Sequence, residues 1–159
     1  MARITKAKWE ENFANYNAII LKIFLNEGWD HVTYDRLSKE TGLRKSTLQG
    51  YYPSNNDFEV AIKGKIFPII ASHLKFDSKD VLIESWKTAM QDTQFRMVMR
   101  MFVMHAYKKG AEGSGRKGIL GLGQIISDKL PDDNALEVIR LLFGLTVTEL
   151  MGIDEETLS

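Results

Sequence analysis

Residues 32–58 constrain this chain more than any other stretch, because two short amphipathic segments meet there at a single glycine. Thr33 stands where a helix needs an N-cap, with a hydroxyl that can accept from a free backbone N–H of the first turn. Val32 and Leu37 fall at the flanking positions of a hydrophobic staple. Gly42 follows as the residue after the helix, where a positive φ costs glycine nothing, and Leu43 is the apolar residue that closes such a turn. The spacing predicts a second short helix from about Arg44 to Tyr51 or Tyr52, stopped by Pro53. Leu48 and Tyr52 are four apart and share one face. Ser46 and Gly50 lie opposite them, with Thr47 and Gln49 on the flanks. That helix has an apolar side for docking and an outward side of small, hydrogen-bonding residues. Entry into a nucleic-acid groove needs that shape, with nothing bulky at the centre and donors and acceptors at the edges.

The pattern can be followed residue by residue: Thr33, Leu37-Ser38, Gly42-Leu43, Lys45-Ser46-Thr47-Leu48, Tyr51-Tyr52-Pro53-Ser54 and Asp57-Phe58, preceded by an apolar helix ending in Glu27-Gly28-Trp29. Over residues 6–65 it resembles the DNA-binding domain of the tetracycline-repressor (TetR) family of bacterial regulators. The resemblance implies a DNA-binding set of Arg44, Lys45, Ser46, Thr47, Gln49 and Tyr51, with Thr33 on a phosphate and Leu48 and Tyr52 in the core of the head. The chain departs from the family pattern in three ways. Gln49 replaces the usual aromatic, and a glutamine can pair bidentately with adenine. Asn55 and Asn56 stand where a cation usually meets a phosphate. Asp35 puts a negative charge near the start of the second helix.

Charge does not advertise nucleic acid, since 21 Lys and Arg balance 21 Asp and Glu. The first 65 residues carry ten cations against eight anions, and the remainder eleven against thirteen. A weakly basic head binds DNA with modest salt dependence unless its cations cluster. Arg3, Lys6, Lys8, Arg44 and Lys45 form the candidate cluster. The chain has no cysteine, so it has no disulfide framework and no thiolate ligand or nucleophile. That composition suits a reducing cytoplasm. The N-terminus lacks the apolar core of a signal peptide, and no apolar run approaches the roughly 18 residues of a membrane span.

Around this stretch the pattern is helical throughout. Trp9, Phe13, Tyr16, Ile20 and Phe24 recur at three and four over residues 7–27, an amphipathic helix ended by Gly28. His31 falls in the turn that follows and is assigned no role. A helix is expected over 56–73, capped by Ser54 or Asn55 and kinked at Pro68. Residues 76–80 read as a connector, with Ser78 as the next cap. Further helices are expected at about 79–91, 93–108, 118–130 and 134–151, which makes the chain all-α. The domains divide as a helix-turn-helix head at 1–54, containing three helices, and an effector-binding and dimerisation body at 55–159.

Methionines and aromatics concentrate in residues 94–107, and methionine suits an adaptable apolar pocket as well as ordinary core. A pocket would draw on Trp86, Met90, Met97, Met101, Met104, His105 and Tyr107. Residues 108–118 read as a flexible basic loop. Its Gly113-x-Gly115-x-x-Gly118 has the spacing of a dinucleotide fingerprint, but a helix precedes it where that motif needs a strand. The last segment is apolar over most of its circumference through Leu136, Ile139, Leu141, Leu142, Phe143, Leu145, Thr146, Val147 and Leu150, so it is expected to be buried on two sides. In the resembling family the last two helices pair across a dimer, which would set two recognition helices about one DNA turn apart on a pseudo-palindromic site.

These readings give a homodimeric DNA-binding regulator, a repressor released by a small apolar or amphipathic ligand. The alternative is a similar DNA-binding protein controlled by a protein partner or by no effector. An enzyme is disfavoured, because the three histidines are scattered and no nucleophile–base motif, cofactor motif or metal-ligand spacing is visible.

Overall fold

The computed structural model describes residues 3–159 and is all-α, with no strand among them. In chain order the helices are α1 (Lys6–Glu27), α2 (Tyr34–Thr41), α3 (Lys45–Tyr51), α4 (Ile66–His73), α5 (Lys79–Ala89), α6 (Thr93–Lys109), α7 (Ser114–Lys129), α8 (Ala135–Leu150) and the short α9 (Glu155–Leu158). Three 3₁₀ turns, Trp29–His31, Asn55–Ala61 and Gly110–Glu112, join them. The chain folds as two compact units, one ending at Ile66 and one beginning at Phe67.

The first unit is built on its caps. The Thr33 hydroxyl accepts from the Arg36 N–H at 3.1 Å and starts α2. Gly42 ends it with φ 74°, its N–H on the Ser38 carbonyl at 2.8 Å. The staple residues Val32 and Leu37 are both buried. With Ile20, Phe24, Leu48, Tyr52 and Phe58 they form one core, each large side chain worth about 1.5–3 kcal/mol of burial. The 3₁₀ turn Asn55–Ala61 packs on α1 and buries Phe58 and Ala61, so compactness extends past the proline turn after which the sequence reading divides the domains. Alanine at Gly42 would put a Cβ in the left-handed region, and the head is expected to lose about 1 kcal/mol. Thermal unfolding of the Gly42→Ala variant measures that loss.

A three-member ion network fastens α1 to α2. The Arg36 guanidinium donates to both Glu27 carboxylate oxygens at 3.0 and 2.8 Å and to Glu40 at 2.8 Å. Hydrogen bonding from Arg36 holds the Glu27 carboxyl below its ordinary value. A depressed folded pKa means the contribution is present above the unfolded carboxylate range, near pH 4.3. It is lost as pH falls from there through the folded value. Acid titration of the wild type against Glu27→Gln should therefore show the two stabilities converging below about pH 4.

Two expectations are corrected in the second unit and its approach. The chain between Phe58 and His73 does not kink at Pro68. It breaks earlier, over residues 62–65, where Gly64 takes φ 76°. Pro68 is then the third residue of α4, in the first turn, where a missing N–H removes no intrahelical bond. Nor is 108–118 a flexible loop, because α7 already begins at Ser114. A Cβ on Gly118 would stand 2.8 Å from the Phe102 ring, and one on Gly123 would stand 3.1 Å from Ile139. Gly118, the last glycine of the apparent fingerprint, and Gly123 beyond it serve close packing of α7 on α6 and α8.

The core of this unit lies among α5, α6 and α8. Trp86 is fully buried, with Phe95 edge-on at 5.2 Å and Phe143 at 5.9 Å. Its indole N–H donates to the Thr146 hydroxyl at 2.8 Å, which in turn donates to the Leu142 carbonyl. That chain satisfies the buried polar atoms Trp86 and Thr146 bring to an apolar interior.

Candidate nucleic-acid interface

The short helix α3 presents two different sides. Leu48 has no exposure and Tyr52, just past the helix, has none either. Arg44, Lys45, Ser46, Thr47, Gln49 and Gly50 are all exposed. The sequence reading of one docking side and one outward side of small polar residues therefore describes the helix as folded. Thr33 is also exposed, and its hydroxyl, already accepting from Arg36, keeps a proton to donate. Lys45 lies with its ammonium 5.6 Å from the centre of the Tyr34 ring, a cation–π contact that places the charge at the start of α3.

A seven-residue helix is marginal alone, and α1 holds this one in place. The Tyr52 hydroxyl donates to Asn17 Oδ1 at 2.6 Å, and Tyr34 donates its hydroxyl to the Tyr52 carbonyl. Burial pushes the Tyr52 phenol well above its ordinary pKa, so it stays a neutral donor. Tyr51 is half-buried, stacked on Trp9 at 5.1 Å and edge-on to Tyr16 at 5.0 Å. Its hydroxyl accepts from Asn12 Nδ2 at 3.1 Å and keeps its proton for a second acceptor. Trp9, Asn12 and Asn17 thus fix the orientation of α3, a role that no local pattern in α1 signals. In the suggested cation cluster, Lys6 and Lys8 sit beside Glu10 and Glu11 in exposed pairs at 3.9 and 3.3 Å, while Arg3 is exposed.

The residues suggested for a pocket in the body are dispersed. Trp86, Met90 and Met101 are packed in the core, Met97 and Met104 are half-buried, and Tyr107 is 90% exposed. Core and pocket draw on the same apolar residue types, so composition could not separate them. A cleft of about 320 Å³ lies elsewhere in the unit, between the end of α6 and the start of α7. Only His105 of the suggested set lines it, together with Phe102, Ala106, Arg116, Ile119 and Leu120.

The family described as the tetracycline repressor LuxT C-terminal domain matches residues 63–150, more than half of the chain. The chain belongs to the TetR family. It is a TetR-family regulator, and its all-α architecture agrees with that membership. The match lies in the body, so the helix-turn-helix of this TetR-family chain rests on its own geometry, with Gly42 in the left-handed region and α3 exposed along its polar side. No curated protein is significantly similar to the chain. Among the described residues, no helix is long and apolar enough to cross a membrane, and no cluster of acidic and histidine side chains could hold a metal ion.

Proposed function

We propose that this TetR-family regulator is a homodimeric repressor whose α3 enters the DNA major groove, and that a small ligand in the body releases it. The observation that carries the reading is the exposure of Lys45, Ser46, Thr47 and Gln49 on a helix whose Leu48 is wholly buried. In that pose Lys45 and Arg44 meet phosphate or guanine, Thr47 meets a thymine methyl or phosphate, and Gln49 pairs with adenine. Thr33, Ser46 and Tyr51 donate hydroxyls to phosphates, which fix register without reading sequence. A ligand weakens this binding only if it favours one body conformation over another.

The dimer is proposed through α7 and α8. The outward side of α8 exposes Leu136 and Leu141 at 54% each, Val147 at 37%, and Met151 just beyond the helix at 70%. Leu136, Val147 and Met151 fall along one stripe of that side, with Leu141 on its flank, and such a stripe fits a partner helix better than it fits water. Leu136→Glu together with Val147→Glu is expected to give a monomer by analytical ultracentrifugation. Its affinity for operator DNA should fall at least about tenfold, since one half-site then binds alone.

Selection of duplex fragments from a random pool by the purified chain, at two salt concentrations, tests the reading. The expected product is an inverted repeat, with adenine at the position facing Gln49. Failure to enrich any sequence at either salt would remove DNA reading from α3.

A further inference from the structure

We propose that the cleft between the end of α6 and the start of α7 binds a small amphipathic acid, a monocarboxylate carrying an apolar tail. The proposal rests on the ligand-release reading above for its regulatory meaning and names the site and the chemistry. Phe102, Ala106, Ile119 and Leu120 give the cleft an apolar wall, and Leu120 is 55% exposed. Its volume of about 320 Å³ sits at the small end of ligand sites, which run from about 300 to 1,000 Å³.

The polar groups gather at one end. Gly113 precedes α7 and has no side chain to cap its first turn, and both Gly113 and Gly115 line the cleft. The start of a 16-residue helix, its positive end, therefore borders the space. Arg116, in the first turn of the same helix, adds a guanidinium that can bind a carboxylate with two parallel bonds. Buried His105, 4% exposed, supplies an imidazole in the opposite wall. The segment 108–117 carries Lys108, Lys109, Arg116 and Lys117 against Glu112 alone, so the surroundings are basic. Apolar wall, helix start and guanidinium together select an anion with a tail over a neutral apolar molecule or a cation.

Isothermal titration of the full chain with octanoate and with octan-1-ol tests this, because the two share a tail and differ in charge. Octanoate should bind one to one and at least about tenfold more tightly than octanol. Arg116→Gln, an exposed position that leaves folding intact, should weaken octanoate about tenfold and leave octanol unchanged. Ala106→Trp should block both by filling the cleft. Equal affinity for the two probes, absence of octanoate binding, or wild-type octanoate affinity in both variants would overturn the proposal. The titration contains no DNA, so a chain that failed to bind any operator would still give a clear result here.

Discussion

Changing Lys45 and Thr47 together to alanine is expected to lower affinity for the selected operator about a hundredfold or more, while the head keeps its fold. Both side chains are exposed, so their removal opens no cavity and breaks no buried hydrogen bond. The helix itself keeps Leu48 in the core, Tyr52 on Asn17 and Tyr51 on Asn12. What is lost is one cation and one branched hydroxyl at the surface of α3. A base or phosphate contact of this kind is worth about 1–3 kcal/mol, so two of them account for a change of that size. Fluorescence anisotropy with the operator and with a scrambled duplex separates the two contributions. Specific binding should collapse towards the scrambled value, and the salt slope should fall by about one unit for the lost Lys45 cation. Unchanged operator affinity in a folded double variant would remove α3 from the interface.

The second large effect is expected in the body. Trp86→Ala should cost about 3–5 kcal/mol of stability, because a fully buried indole leaves a cavity that its neighbours fill only in part. The edge contacts to Phe95 and Phe143 are lost with it. Thr146 keeps its bond to the Leu142 carbonyl, so no buried hydroxyl is stranded. Trp86→Phe should fall between the two. Urea unfolding followed by far-ultraviolet dichroism checks the order. The same substitution separates core from pocket at this position, since a tryptophan lining a ligand site could be trimmed with little loss of stability. A near-wild-type urea midpoint for Trp86→Ala would return Trp86 to the ligand site.

The head was readable where one residue settles its own neighbourhood. A threonine cap, a glycine in the left-handed region and a proline stop act within a turn, and α2 and α3 begin and end within a residue or so of where those signals stand. Partners distant in sequence left no such mark. Asn12 and Asn17 look like solvated residues on an amphipathic helix until Tyr51 and Tyr52 arrive from more than thirty residues away. Pro68 reads as a kink because its effect depends on where the helix starts, and that start follows the break at Gly64. Gly118 reads as part of a loop because a glycine needed for close packing shows its purpose only once Phe102 lies against it. The cleft of the body was hidden for the same reason: Phe102, Ala106 and Leu120 belong to two helices whose approach no local pattern encodes.

Hydroxyl-radical footprinting of the full chain on its selected duplex tests the central claim most directly. A dimer that presents α3 twice should protect two segments of backbone about one helical turn, or about 34–36 Å, apart, related by two-fold symmetry. Both segments should vanish with the Lys45→Ala, Thr47→Ala variant. One protected segment, two segments at an unrelated spacing, or protection that survives in the variant would contradict a paired recognition helix as the reader of DNA.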